Sequence, residues 1–327
     1  MANHVTIYFM MTLVSTIESM TQFVQDDWHA TQAILNKDTE QHALHLIQKI
    51  CHERSKGKQL RSLMVLALGH LFNHCHATHH QLAAIVEVIH QATLLHDDVI
   101  DEATTRHNQP TAWSVYGNKA SILVGDFMFS QSFRWISQLK DPFIIQSLAN
   151  ATQLIVEGEV EQHQVKGQLN LREATYFKII EAKTAELFRQ TTLLGAYAAG
   201  AHQKHQQYAE QFGKQIGIAF QLQDDLLDYV GSETGKSKGQ DWSENKVTYP
   251  LIMAYAQAPE IIEMYFKEKR PFEDIEPIIQ STRAFQKTQS KIIEYTQSAS
   301  EALNHLPDHP IKVHLNELIN WMQYREF

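Results

Sequence analysis

Apolar residues recur along this chain every three and four positions. In 82–96, LAAIVEVIHQATLLH, Leu82, Ile85, Val86, Ile89 and Ala92 follow the i, i+3, i+4, i+7 pattern of a buried helical face. Segments 176–200 and 208–230 carry the same period. No stretch alternates apolar and polar residues for long enough to predict a strand, and no internal repeat appears at a solenoid period. Turn residues place loops near 54–58, 73–80, 103–112, 140–142, 231–248 and 269–277. No linker divides the chain. The pattern predicts an all-α protein with one domain over 21–327, preceded by residues 1–20 as an extension or a first helix.

Composition supports the helical reading. The 327 residues hold 13 glycines and 8 prolines, and no proline occurs before Pro110 or between Pro142 and Pro250. Both residues disrupt helices, so long spans without them favour helix. The formal net charge of −9 argues against a nucleic-acid partner, which needs a basic face. Two cysteines, Cys51 and Cys75, form no metal-spaced pair and no disulfide framework, which fits a reducing cytoplasm. The apolar N-terminal run VTIYFMMTLV lacks a basic leader and a small-residue cleavage site, so no signal peptide is expected. It is also shorter than the roughly 20 residues that span a bilayer.

The stretch NHCHATHH (73–80) offers His74, Cys75, His76, His79 and His80 as metal ligands. With 19 histidines in the chain, clustering arises easily, and no second ligand pair stands out. A solvated loop between helices is the expectation.

Two acidic stretches carry the candidate chemistry. Asp97, Asp98 and Asp101 follow a leucine run in LLHDDVID, and Asp224, Asp225 and Asp228 repeat that spacing in FQLQDDLLD. Residues four apart share a helix face, so Asp97 pairs with Asp101 and Asp224 with Asp228. Like charges at that spacing repel. Two identical trios therefore suggest a shared cation, and Mg²⁺ suits carboxylates combined with substrate phosphates. Lys58, Arg61, Arg106, Lys183, Lys236 and Lys246 are at hand for the remaining phosphate charge.

Together with TRHNQPT (105–111), KT (183–184), TGKSKGQD and NKVTYPLI (234–252), these stretches resemble a trans-isoprenyl diphosphate synthase of the polyprenyl synthetase family, medium- to long-chain type. The resemblance covers about 55–255. It implies a helical isoprenoid synthase bundle with a central cavity, usually a homodimer. The implied reaction joins an allylic diphosphate, such as farnesyl or geranylgeranyl diphosphate, to isopentenyl diphosphate, head to tail.

The resemblance also implies roles for individual residues. Asp97, Asp101 and Asp224 match the principal Mg²⁺ ligands, with Asp98, Asp225 and Asp228 in support. Arg106, Lys183, Lys236 and Lys246 are expected at the allylic diphosphate, and Lys183, Thr184 and Gln221 at the developing carbocation. Lys58, Arg61, His90 and His107 are expected at isopentenyl diphosphate. Lys58 and Arg61 would lie one helical turn apart, and His90 two turns before Asp97 on its face. The glycine-bearing stretch 231–239 reads as a lid. The chain departs from the family where Lys56-Gly57-Lys58-Gln59-Leu60-Arg61 replaces Gly-Gly-Lys-Arg-x-Arg, and where His107 replaces a second arginine.

Product length is expected to depend on Ala92 and Thr93. Short-chain members of the family carry a bulky aromatic at one of these positions, so small residues imply a longer all-trans product. Phe127, Met128 or Phe133 would set a deeper floor. Gly213 and Gly217 either leave room for the growing chain or mark close packing between helices. Release of so apolar a product implies transient membrane association. The alternatives are a subunit that needs a partner chain, a shorter-chain synthase, and a prenyl- or metal-binding protein without activity.

Overall fold

Helices follow the apolar period through most of the computed structural model, which describes residues 13–40, 44–54, 57–106, 109–231 and 238–324. They are α1 (Leu13–Phe23), α2 (Gln25–Glu40), α3 (His45–Arg54), α4 (Leu60–Leu71), α5 (Ala77–Ile100), α6 (Ala112–Tyr116), α7 (Asn118–Leu139) and α8 (Pro142–Gln164). After these come α9 (Glu173–Ile180), a π-helical turn (Glu181–Ala185), α10 (Glu186–Ala198) and α11 (Gln203–Val230). The chain ends in α12 (Gln240–Ser243), α13 (Tyr249–Tyr255), α14 (Pro259–Lys267), α15 (Phe272–Ser281), α16 (Ala284–Asn304) and α17 (Ile311–Tyr324). The strands among the described residues form one ribbon inside the 103–112 loop, β1 (Thr105–Arg106) against β2 (Gln109–Pro110), with Arg106 opposite Gln109.

Helix α4 is apolar on nearly every side, so it is buried all round, and Leu63 to Leu68 are at most 1% exposed. The predicted face of α5 is likewise closed, since Leu82, Ile85, Val86, Ile89 and Ala92 are at most 1% exposed. Helices α4, α5, α10 and α11 pack around this first apolar centre. A second centre lies under α13, α15 and α16. Helix α11 serves both, with Ile216 and Ala219 in the first and Leu222 and Leu226 in the second. No described helix is long and apolar enough to cross a membrane.

The structure corrects several expectations. The 73–80 loop ends early, because α5 begins at Ala77 with His76 as its cap, and His79 is fully buried. Proline marked 269–277 as a loop, yet α15 carries Pro277 inside it. The missing N–H costs one hydrogen bond, and burial of Phe272, Ile275 and Ile279 outweighs it. Helix α1 spans Leu13–Phe23, in keeping with the alternative of a first helix for that stretch, and its Met20 is 1% exposed.

Gly213 and Gly217 mark close packing rather than open space. A Cβ at Gly217 would sit 2.5 Å from the Ala185 Cα, and one at Gly213 would sit 2.1 Å from the Thr192 hydroxyl oxygen. The two glycines let α11 lie directly against α10 and the π turn. Gly217→Ala should therefore lower unfolding stability by about 1–3 kcal/mol, the usual cost of overpacking. Denaturant unfolding of the two proteins checks this. Unchanged stability would mean that the helices are not held together here.

Candidate active site

The two acidic stretches come from the end of α5 and the last turns of α11. Asp97 and Asp98 lie in the final turn of α5, and Asp101 is its C-terminal cap. Arg106, on the ribbon that follows, places its Nε 2.7 Å from Asp98 Oδ1. Its guanidinium also feels the charges of Asp97 and Asp224, so it lies between the two motifs. On the other side, Lys246 Nζ is 2.7 Å from both Asp101 Oδ2 and Glu244 Oε2, and it feels Asp241. Asp241 in turn lies in the field of Asp224, Asp225 and Asp228. Two cations, Arg106 and Lys246, thus stand among a larger number of carboxylates drawn from both helices.

Lys183 and Thr184 lie on the π turn between α9 and α10. A π turn inserts one residue into a helix and re-aims its side chains. Gly158 of α8 makes room for it, since a Cβ there would meet the Ala182 Cβ and the Lys183 backbone N at 2.9 Å. Lys183 Nζ donates to Gln162 Oε1 at 2.8 Å, pairs with Glu159 and stands 4.0 Å from Asp97 Oδ2. The Thr184 hydroxyl donates to Gln221 Oε1 at 2.7 Å. Gln221 Nε2 passes the network to Asp225 Oδ1 at 2.7 Å, and the Tyr176 hydroxyl holds Asp225 Oδ2 at 2.5 Å.

The three supporting aspartates are each engaged by protein partners. Asp98 is fully buried and holds Arg106. Asp225 is clasped by Tyr176 and Gln221. Asp228 accepts the backbone N–H groups of Gln240 at 3.1 Å and Asp241 at 3.0 Å, at the start of α12. For Asp98 and Asp225 the reason is helical geometry, since neighbouring residues project about 100° apart; Asp228 shares the face of Asp224 and is engaged by the start of α12. Asp97, Asp101 and Asp224 stand beside the three basic groups Lys183, Lys246 and Arg106 respectively.

The electrostatics fit a hard divalent ion. Burial pushes the Asp97 carboxyl up to about 6, with Lys183 opposing and Glu159 adding to the rise. Burial also pushes Asp225 up to about 6 against its hydrogen bonds, and raises Asp241 well above the carboxylate range, with Asp228 and Asp225 reinforcing it. Carboxylates whose charged form burial disfavours gain from a cation, and the donors are all oxygen.

A second cationic group lies farther back. Arg61 of α4 has its Nη1 3.0 Å from His90 Nε2 and its guanidinium 4.3 Å above the Phe188 ring. It is 8% exposed, burial lowers its pKa to about 10, and the buried Glu87 opposes that fall. Lys58 does not lie one helical turn from Arg61, because α4 starts at Leu60 and Gln59 adopts a left-handed backbone with φ 46°. Lys58 is exposed in the preceding loop. Ala92 is fully buried, whereas Thr93 is half-buried and its hydroxyl donates to the His90 carbonyl at 2.7 Å. His107 and Lys236 lie outside the described residues, as does most of the 231–239 lid.

Sequence reasoning missed Glu159, Gln162, Tyr176, Asp241 and Glu244. Asp241 stands within TGKSKGQD and could have been found there. Glu159 and Gln162 are unremarkable polar positions on α8, and only the approach of the π turn gives them a partner.

Comparison with known proteins agrees with this geometry. The Polyprenyl synthetase family model matches residues 41–282. Octaprenyl diphosphate synthase of Escherichia coli is 33% identical over 263 residues, covering 78% of this chain and 81% of that protein. Heptaprenyl diphosphate synthase component 2 of Geobacillus stearothermophilus is 29% identical over 326 residues, covering 95% and 99%. A solved polyprenyl synthase from Caulobacter crescentus, complexed with calcium and isoprenyl diphosphate, superposes with a TM-score of 0.87 at 32% identity, covering 95% and 98%. Fold and site define a helical prenyltransferase with an acidic centre for a divalent metal. The chain belongs to the polyprenyl synthetase family and is an enzyme of polyprenyl diphosphate synthesis.

Asp97→Ala should reduce kcat by about a hundredfold or more, with the helical circular dichroism signal unchanged. Near-normal turnover would remove Asp97 from the metal set. Because protons compete with the ion for Asp97, divalent-metal affinity should weaken as pH falls through about 6. Calorimetric titration one unit above and one unit below that value measures it.

Proposed function

We propose that this enzyme is a Mg²⁺-dependent synthase of medium- to long-chain all-trans polyprenyl diphosphates, condensing an allylic diphosphate with isopentenyl diphosphate. The observation that carries this reading is the pair of facing acidic helix ends, α5 and α11, with Arg106, Lys183 and Lys246 set among them. Asp97, Asp101 and Asp224 would hold Mg²⁺, which neutralises diphosphate and makes it a leaving group.

The chain's own groups perform the remaining work. Arg106 and Lys183 place fixed positive charge where negative charge develops on the leaving diphosphate. Asp98 and Glu159 hold them there, which avoids reorganisation during the step. Thr184 gives its proton to Gln221, so its oxygen lone pairs remain available to an allylic cation. Arg61 and His90 are assigned to isopentenyl diphosphate, with His107 and Lys58 completing that subsite. The departing pyrophosphate, by resemblance, takes the final proton.

Chain length rests on the floor below Asp97. Thr93 lies one turn, about 5.4 Å, along α5 from Asp97 and is small. A cavity of about 610 Å³ lies on another side of α5, between α2, α3, α5 and α7, lined by Leu35, Cys51, Val88, Gln91, Met128 and Gln131; Val88 and Gln91 stand nine and six residues before Asp97 and project well away from the face shared by Asp97 and Thr93. Phe133 is 47% exposed and Phe127 packs at the edge of the core, so neither lines the cavity.

A second reading, a catalytic subunit that needs a partner chain, is supported by similarity to a heptaprenyl synthase component. Self-pairing is supported by apolar residues exposed on α7 and α8, among them Leu123 at 67%, Val156 at 52% and Val160 at 52%. Two free thiols fit a cytoplasmic setting.

Incubating the purified chain alone with Mg²⁺, isopentenyl diphosphate and farnesyl diphosphate tests the proposal. Medium- to long-chain products are expected. Products that stop at geranylgeranyl diphosphate would identify a shorter-chain enzyme, and inactivity would favour the two-subunit reading. Thr93→Phe should shorten the product toward farnesyl or geranylgeranyl diphosphate. It is preferable to Ala92→Phe, which would overpack the core. An unchanged product ladder would remove Thr93 from the floor.

A further inference from the structure

The histidine-rich stretch divides into two groups in the fold. His74, His76 and His79 face the C-terminal part of α10, where His79 Nε2 is 3.0 Å from the Gly195 carbonyl and His76 Nε2 is 3.0 Å from that of Ala198. His76 also caps α5, accepting the Thr78 N–H. These contacts anchor the turn between α4 and α5 and use up the three imidazoles structurally.

Cys75 and His80 turn instead toward Asp27, in the first turn of α2. His80 Nε2 is 2.7 Å from Asp27 Oδ1, and the Cys75 thiol is hydrogen-bonded to the same carboxylate. Single ligand atoms of Asp27, Cys75 and His80 all lie within 4.8 Å of one another. His70, at the end of α4, holds the other oxygen, Asp27 Oδ2, at 2.6 Å. Gly69 closes the arrangement, since a Cβ there would come within 3.1 Å of Cys75 Sγ and 2.8 Å of the His79 ring.

We propose that Asp27, Cys75 and His80 form a zinc site separate from the acidic catalytic centre, with His70 orienting the ligating carboxylate. One thiolate, one imidazole and one carboxylate form a borderline-soft donor set, which favours Zn²⁺ over the hard Mg²⁺. Ligands of a tetrahedral zinc ion lie about 3.3–3.7 Å apart, given metal–ligand lengths near 2.0–2.3 Å. Opening the 2.7 Å His80–Asp27 contact by less than about 1 Å satisfies this. A water completes the fourth position, since the ligand side chains are partly exposed (His80 18%, Asp27 21%). A ligating carboxylate hydrogen-bonded through its second oxygen is the usual outer shell of such sites. His80 lies seventeen residues from Asp97 on α5, about 26 Å along the helix. The ion would tie α2 to the α4–α5 turn and so act on stability rather than on chemistry.

The test uses the full-length protein in excess Mg²⁺, which occupies the acidic centre. Zn²⁺ uptake is measured by competition with a chromogenic chelator, and Co²⁺ substitution by absorbance. One equivalent per chain is expected, with a thiolate-to-cobalt charge-transfer band and a rise in Tm of about 3 °C or more on zinc addition. Cys75→Ser should abolish the band and the Tm rise, His80→Gln should weaken uptake at least tenfold, and Cys51→Ser should behave as wild type. No charge-transfer band in the wild-type chain, or equal zinc uptake by wild type and Cys75→Ser, overturns the proposal. The cluster would then be a hydrogen-bonded tie alone.

Discussion

Repulsion among carboxylates on two facing helices is the constraint around which this molecule is arranged. Helix α5 ends in Asp97, Asp98 and Asp101, and α11 brings Asp224, Asp225 and Asp228 toward them. In a partly buried setting such charges are costly, and burial raises Asp97, Asp225 and Asp241 well above ordinary carboxylates. The chain answers with one cation on each side: Arg106 within reach of Asp98, Asp97 and Asp224, and Lys246 against Asp101 and Glu244. The balance still favours negative charge, a surplus that suits a divalent cation.

The same constraint explains local irregularities that would otherwise weaken the fold. A π turn at 181–185 gives up regular helix to project Lys183 toward Asp97 and Thr184 toward Gln221. Gly158 and Gly217 let α8 and α11 close upon that turn from two directions. Tyr176 and Gln221 then secure Asp225, so one network links the π turn to the acidic end of α11. Strict packing here serves orientation, because a misplacement of about 1 Å can cost on the order of a hundredfold in rate.

At the far end of α5 the polar groups are held by histidine contacts to backbone carbonyls and to one carboxylate. Three histidines spend their ring nitrogens on α10 carbonyls and on the cap of α5, while Asp27 gathers His70 and His80 from α4 and α5. Helix α5 is therefore tied at its start by hydrogen bonds and loaded at its finish with charge. Its middle is an unbroken apolar face.

The helical class and the single acidic spacing used twice were legible in the sequence, because they depend on period and local spacing. The i, i+4 pairing of Asp97 with Asp101 needs only helix geometry. Tertiary structure decided which aspartate of each pair faces a neighbour helix and which is buried as an anchor, since that depends on what packs behind the helix. It also decided that Gly213 and Gly217 are contact points, that Pro277 is tolerated inside a helix, and that Lys58 and Arg61 part company at the left-handed Gln59. Glu159 and Asp27 carry no mark in their own neighbourhoods. Their partners lie 24 and 53 residues away, at Lys183 and His80, and only the folded path of α2, α5, α8 and the π turn brings those charges within bonding distance.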